Sequence, residues 1–147
     1  MIKAAVCDDS ELDRTMLEDI VSRLMSDRGL TYDIVTYVSG KELVSGYKNH
    51  PYDIIFLDIL MEDIDGIETG RLIREMDDKV EIVYCTSSRD FAIAAYDVHA
   101  MGYLLKPYET EKIGAVIDYY VQKHPQKNHN YIEVKSRRKS LIIPIRI

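Results

Sequence analysis

Residues 54–66 read "IIFLDILMEDIDG": an apolar run, Ile54 to Leu57, ends on Asp58, and a loop with three more acids follows before Gly66. An unbroken apolar run of this kind suits a strand buried on both faces, as in a parallel sheet covered by helices. Burying an unpaired charge at its end would cost several kcal/mol. Asp58 therefore belongs either at an open strand end or beside a cation.

Working outward, the same kind of run recurs. "KAAVC" (3–7), "YDIVTYV" (32–38), "DIIFLDI" (53–59), "VEIVYCT" (80–86) and "GYLLK" (102–106) read as strands. Helical periodicity fills the gaps. Leu12, Met16, Leu17, Ile20, Val21 and Leu24 fall at three- and four-residue steps, with Ser10 or Asp9 placed to cap the start and Gly29 the end. A shorter helix is expected from Ser39-Gly40 to Tyr47, another from Gly66 to Met76, and a short, weak one over 90–97. The last runs from Glu109 to Lys123, with Ile113, Val116, Ile117, Tyr120 and Val121 on one face. Five strand–helix alternations predict an α/β, doubly wound parallel sheet.

At 147 residues and 46% hydrophobic content the chain makes one domain with a real core and room for a short appendage. A formal charge of −6 argues against gripping nucleic acid through bulk electrostatics. No apolar run approaches the roughly 20 residues that span a bilayer. The opening "MIKAAVCDDSELDR" turns acidic too soon for a signal peptide, so a cytoplasmic protein without membrane partners is expected. Cys7 and Cys85, isolated and without CxxC spacing, read as small buried hydrophobes rather than a disulfide or a metal site.

In open parallel sheets ligands sit outside the carboxyl ends of the strands. Those ends carry Asp8 and Asp9, then Asp58, then Thr86, then Lys106 followed by Pro107. Asp58 thus ends its strand because that rim is a polar site. At about 5 Å and an effective dielectric near 20, each ionised carboxylate pair costs about 3 kcal/mol. Lys106 offsets part of this, and a divalent cation offsets more. An all-oxygen set suits Mg²⁺, or Mn²⁺ in its place. Neither GxxxxGK[ST] nor GxGxxG occurs, so nucleotide binding is poorly supported. A carboxylate beside a metal site, a lysine and a hydroxyl points to an Asp that attacks phosphorus and becomes an acyl phosphate.

With "VCDDS", "IIFLDILMEDIDGIE", "YCTSS" and "GYLLKP", the chain over residues 2–123 resembles the receiver domains of two-component response regulators. The resemblance implies a flavodoxin-like, five-stranded parallel sheet in the order 2-1-3-4-5. It implies that Asp58 is the phosphoacceptor. Asp9 would bind Mg²⁺ directly, Asp8 largely through water, with Asp58 and the backbone carbonyl of Leu60 as further ligands. Lys106, before a cis peptide to Pro107, would pair with the phosphoryl group; Thr86 would be the switch hydroxyl and Tyr103 the switch aromatic. Small Ser87 would leave room for the phosphoryl group. Glu62 departs from the pattern, since a proline is common there. The implied donor is a sensor histidine kinase, and the chain would signal as a phosphoacceptor rather than turn over a substrate. A homodimer is expected through the face of the fourth helix, fifth strand and last helix.

After Lys123 the sequence becomes polar, and residues 124–130, "HPQKNHN", read as a linker between a receiver domain (1–123) and a tail (131–147). That tail, "YIEVKSRRKSLIIPIRI", looks like the opening β-hairpin of a LytTR-type DNA-binding domain, with Arg137-Arg138-Lys139 at its turn. The expectation is a piece of a transcriptional regulator that reaches DNA only through a domain outside this sequence. Two other readings remain open on the residues: a stand-alone receiver signalling through protein partners, and a Mg²⁺-dependent phosphohydrolase. The second lacks the usual acid two residues after the nucleophile, where Leu60 stands.

Overall fold

The computed structural model describes residues 1–127, 131–135 and 140–144. Strands β1 (Ile2–Cys7), β2 (Tyr32–Tyr37), β3 (Ile54–Asp58), β4 (Glu81–Thr86) and β5 (Gly102–Leu105) alternate with helices α1 (Glu11–Asp27), α2 (Gly40–Gly46), α3 (Gly66–Met76), α4 (Ala92–Asp97) and α5 (Thr110–Lys123). The strands form one parallel sheet in the order β2-β1-β3-β4-β5, as expected.

The apolar strands are divided residue by residue between two cores, as the two-residue period of a strand requires. Ile2, Ala4 and Val6, Ile54 and Phe56, and Val83 and Cys85 face one side, where Leu17, Val21 and Met25 of α1 and Ile113, Ile117 and Tyr120 of α5 cover them. Ala5 and Cys7, Ile55 and Leu57, and Ile82 and Tyr84 face the other, beneath Leu43 of α2, Ile67 and Ile73 of α3, and Ala95 of α4. All five residues of β3 are buried. At about 1.5–3 kcal/mol for each large side chain removed from water, the apolar residues of this central strand contribute roughly 6–12 kcal/mol towards folding.

Local chemistry sets the helix ends. Ser10, Ser39 and Asp65 each accept a hydrogen bond from a first-turn backbone N–H and so cap α1, α2 and α3. Gly29 follows α1 at φ 68°, a left-handed conformation that costs glycine little. α4 has no side-chain cap, buries only Ala95, and leaves Ile93 and Tyr96 each 80% exposed. It is the weak helix expected from its sequence. The sequence reading of α1 needs one correction: Leu12 and Met16 are exposed, and the buried stripe is Leu17, Ile20, Val21, Leu24 and Met25. Leu12 and Met16 lie off that stripe, on the solvent side of the helix.

The segment expected to be a linker starts as anchored chain. Lys123 and His124 both meet the buried Glu81 at 2.8 Å, His124 stacks on Tyr120, and Lys127 lies 3.3 Å from Asp53. A 3₁₀ turn covers Pro125–Lys127. Residues 128–130 and the expected turn Arg137-Arg138-Lys139 lie outside the described residues. The tail strands β6 (Tyr131–Lys135) and β7 (Ser140–Pro144) pair antiparallel, Tyr131 opposite Pro144 and Lys135 opposite Ser140.

Candidate functional site

The parallel register brings the carboxyl ends of β1, β3, β4 and β5 to one rim. Carboxylate oxygens of Asp8, Asp9 and Asp58 lie within 4.8 Å of one another, with Asp8 and Asp58 buried and Asp9 exposed. Lys106, just past β5, sends its ammonium among them: Nζ is 2.9 Å from Asp8 Oδ2, 2.9 Å from Asp13 Oδ2 and 3.6 Å from Asp58 Oδ1. The Lys106–Pro107 peptide is cis.

Each acid is held differently. Asp8 accepts from the Ser10 backbone N–H at 2.9 Å through Oδ1, and its own backbone carbonyl accepts from Arg14 Nη1 at 2.9 Å. Asp9 Oδ2 accepts from the Glu62 N–H at 3.2 Å, which ties the loop after β3 to the loop after β1. A proline at 62 could not make that bond. Thus the departure noted in the sequence has a structural consequence at a candidate ligand. Met61 Sδ lies 3.9 Å from Cys7 Sγ, packing the same loop onto β1. Gly66 completes the frame, since a Cβ there would fall 2.1 Å from the Asp58 carbonyl oxygen.

Electrostatically, Asp58 is the perturbed group. Burial first, then the negative charge of Asp8, push its pKa up to about 7, against a downward pull from Lys106. Burial alone would lower the Lys106 pKa. Hydrogen bonds to Asp13 and Asp8, with the charges of Asp58 and Asp8, override it and raise the value. The ammonium therefore stays charged near neutrality. Among the described residues Lys106 alone pairs with these converging acids, so the donor set is hard, oxygen-only and short of positive charge, which fits Mg²⁺ or Mn²⁺. Leu60, two residues beyond β3, is half exposed, and among the described residues its backbone carbonyl accepts no hydrogen bond.

Thr86 ends β4 fully buried, and its Oγ1 accepts from the Ser88 N–H at 3.3 Å. Ser87 beside it is exposed. Tyr103 on β5 is half buried, and its hydroxyl donates to the Ser88 carbonyl at 2.5 Å. The residues picked from the sequence therefore fall into two connected groups. Asp8, Asp9, Asp58 and Lys106 meet directly, while Thr86, Ser87 and Tyr103 share the loop after β4. Two partners escaped the sequence reading, Asp13 on Lys106 and the Ser88 carbonyl on Tyr103. Asp13 had one available signal: it is the third residue of a helix that leaves the acidic rim. The Ser88 contact is made by a backbone atom and leaves no trace in side-chain identity.

Comparison with known proteins agrees with this geometry. Residues 4–118 match the response regulator receiver domain family. The transcriptional regulatory protein NatR of Bacillus subtilis is 31% identical over 130 residues, covering 88% of this chain and 54% of NatR. The sensory transduction protein LytT of Bacillus anthracis is 30% identical over 139 residues, covering 95% of this chain and 53% of LytT. The chain thus spans about half the length of the curated relatives it matches. Among solved structures, the response regulatory domain of mrkE from Klebsiella pneumoniae superposes with a TM-score of 0.76 at 24% identity, covering 85% of this chain and 99% of that one. Chemotaxis protein CheY4 of Vibrio cholerae gives a TM-score of 0.70 at 22% identity, with 82% and 98% covered. The likeness to these two is one of fold. Sequence motifs, sheet order and family match converge: the chain belongs to the response regulator receiver domain family.

Proposed function

We propose that Asp58 is the phosphoacceptor of this receiver domain and takes its phosphoryl group from a sensor histidine kinase. One observation carries the reading: a buried carboxylate at a strand end, beside two other acids and a lysine that bears a proton. An Asp58 carboxylate oxygen forms the O–P bond as the P–N bond of the phosphohistidine breaks, and the imidazole leaves with the electron pair. Asp8, Asp9, Asp58 and the Leu60 carbonyl would hold Mg²⁺, which when bound supplies charge neutralisation for the phosphoryl oxygens. Lys106 keeps its proton throughout and donates to a phosphoryl oxygen. Exposed Ser87 leaves the approach open, and Thr86 donates its hydroxyl to the phosphoryl group.

The buried Thr86 shares the loop after β4 with Ser88, to which Tyr103 is bonded, so its movement repositions the surface of α4, β5 and α5. Ile93 and Tyr96 on that surface are each 80% exposed, which supports homodimerisation there. Output is transcriptional. Residues 1–123 would form the receiver and 124–130 the connection to a LytTR-type DNA-binding domain begun by 131–147. The names of NatR and LytT and the half-length coverage support this. The test is acetyl phosphate with Mg²⁺, read by intact-protein mass spectrometry. One phosphoryl group should add to the wild type and none to Asp58→Asn. An undiminished gain in that variant refutes the assignment.

A further inference from the structure

Lys106 has three N–H donors. Its two contacts at 2.9 Å go to Asp8 and Asp13, and Asp58 at 3.6 Å lies outside hydrogen-bonding distance. The lysine that should meet a phosphoryl group on Asp58 is thus held elsewhere. Asp13 is not part of the three-carboxylate cluster. It sits on the first turn of α1, where its backbone N–H bonds the Ser10 cap at 3.3 Å, and its side chain is 33% exposed. Water can therefore take over the Asp13 carboxylate when it loses the lysine, whereas Asp8, at 1% exposure, has no such recourse. Of the two bonds on Lys106, the one to Asp13 is the cheaper to give up.

We infer that Asp13 is a positioning residue that holds Lys106 on the α1 side of the rim, away from Asp58, until a phosphoryl group on Asp58 displaces it. The inference rests on Asp58 being the phosphoacceptor. Asp13 then acts as a brake. In reaction with acetyl phosphate, the Asp58 O–P bond forms as the donor's P–O bond breaks and acetate departs. Lys106 has a third donor, and bringing Nζ from 3.6 Å into bonding distance of the transferring group draws it away from Asp13 during this step.

The experiment uses Asp13→Asn, Asp13→Glu and Glu11→Gln in the whole chain. Glu11 lies exposed on the same turn, so Glu11→Gln repeats the charge change without touching Lys106. In metal-free protein, ¹⁵N spectra of the lysine ammonium groups should show the Lys106 signal shifted by Asp13→Asn and unmoved by Glu11→Gln. With acetyl phosphate and Mg²⁺, Asp13→Asn should be phosphorylated roughly three- to tenfold faster than Glu11→Gln, as loss of one partly exposed charge-assisted bond implies. Asp13→Glu, which keeps the pair, should stay within about twofold of wild type. Equal rates in Asp13→Asn and Glu11→Gln overturn the inference, as does an unmoved Lys106 signal or an Asp13→Glu rate as high as that of Asp13→Asn. Failure of the wild type to gain a phosphoryl group overturns the underlying reading instead, and the metal-free spectrum still shows whether the Lys106–Asp13 contact exists.

Discussion

Replacing Asp58 by Asn should stabilise the metal-free domain, and by an amount that grows with pH. Asp58 is 4% exposed, and its pKa rises from 3.8 to about 7 on folding. The native state therefore holds the Asp58 proton through a range where the unfolded state has lost it. Stability falls wherever the native state binds more protons than the unfolded one. For a raised pKa the contribution is complete below 3.8, declines between 3.8 and about 7, and is gone above that. The upper bound is about 1.4 kcal/mol per pH unit across the window. Asn carries no charge in either state and has no such slope. Between pH 5 and pH 8 the stability difference, Asn minus Asp, should widen by about 1.5–2.5 kcal/mol, the bound being reduced for relaxation and water entry around a buried charge. Urea unfolding in EDTA at those two pH values measures it directly. Adding Mg²⁺ at pH 8 should narrow the gap, because a cation that binds the folded wild type stabilises it by mass action. A gap that is the same at both pH values would refute the argument. It would mean that Asp58 is ionised in the native state throughout and that Lys106 fully offsets its burial.

Three further outcomes are expected. Two free thiols should titrate in the unreduced, denatured protein, because Cys7 and Cys85 face opposite cores of the sheet; in the native state both should react slowly, since burial pushes each thiol pKa up. Gly66→Ala should cost roughly 3 kcal/mol or more in urea unfolding, because the new methyl meets the Asp58 backbone at 2.1 Å and neither β3 nor α3 can withdraw cheaply. Glu62→Pro deletes the N–H on Asp9 Oδ2 and should raise Mg²⁺ affinity by about two- to fivefold in a calorimetric titration, and unchanged affinity would show that this N–H does not compete with the metal.

The fold could be read from residue order because the signal is repeated and one-dimensional. β3 and β4 are buried along their whole lengths, and no solvent-facing alternation is left to confuse them with antiparallel strands. The start of α1 was legible to within a residue, Ser10 or Asp9, and that of α2 at Ser39-Gly40, because a cap acts on backbone only three residues away. The converging acids were legible because a parallel sheet places all carboxyl ends on one rim. Illegible were the contacts that depend on a side chain's direction at the end of an element. Leu12 and Met16 satisfy the helical period and still face water, because three- and four-residue spacing does not fix where the edge of the buried stripe falls. Asp13 was missed because its partner Lys106 lies far away in the sequence and local spacing does not reveal such a pair. His124 and Lys127 looked like linker because polarity alone cannot distinguish a solvated stretch from one paired to Glu81 and Asp53 across the fold.

The unfavourable electrostatics of the rim and its chemistry are one property. A carboxylate that is comfortable in the native state, well paired and with a depressed pKa, is a poor candidate for conversion to an acyl phosphate. Asp58 is the opposite case: it is buried next to Asp8, and Lys106, 3.6 Å away, is bonded to two other acids. The domain tolerates this because Asp58 ends a strand whose other residues are apolar and fully enclosed, so local repulsion is set against a rigid core. Binding a cation, or attaching a phosphoryl group that recruits Lys106 and Thr86, would relieve the same repulsion. Since Ser88 bonds Thr86 through its N–H and Tyr103 through its carbonyl, the proposed movement of Thr86 would reach the loop and β5 through contacts already made. On the proposed reading, the cost built into the folded site would be the free energy available to shift its surface, and removing it by Asp58→Asn should yield a more stable domain that no longer responds to a phosphodonor.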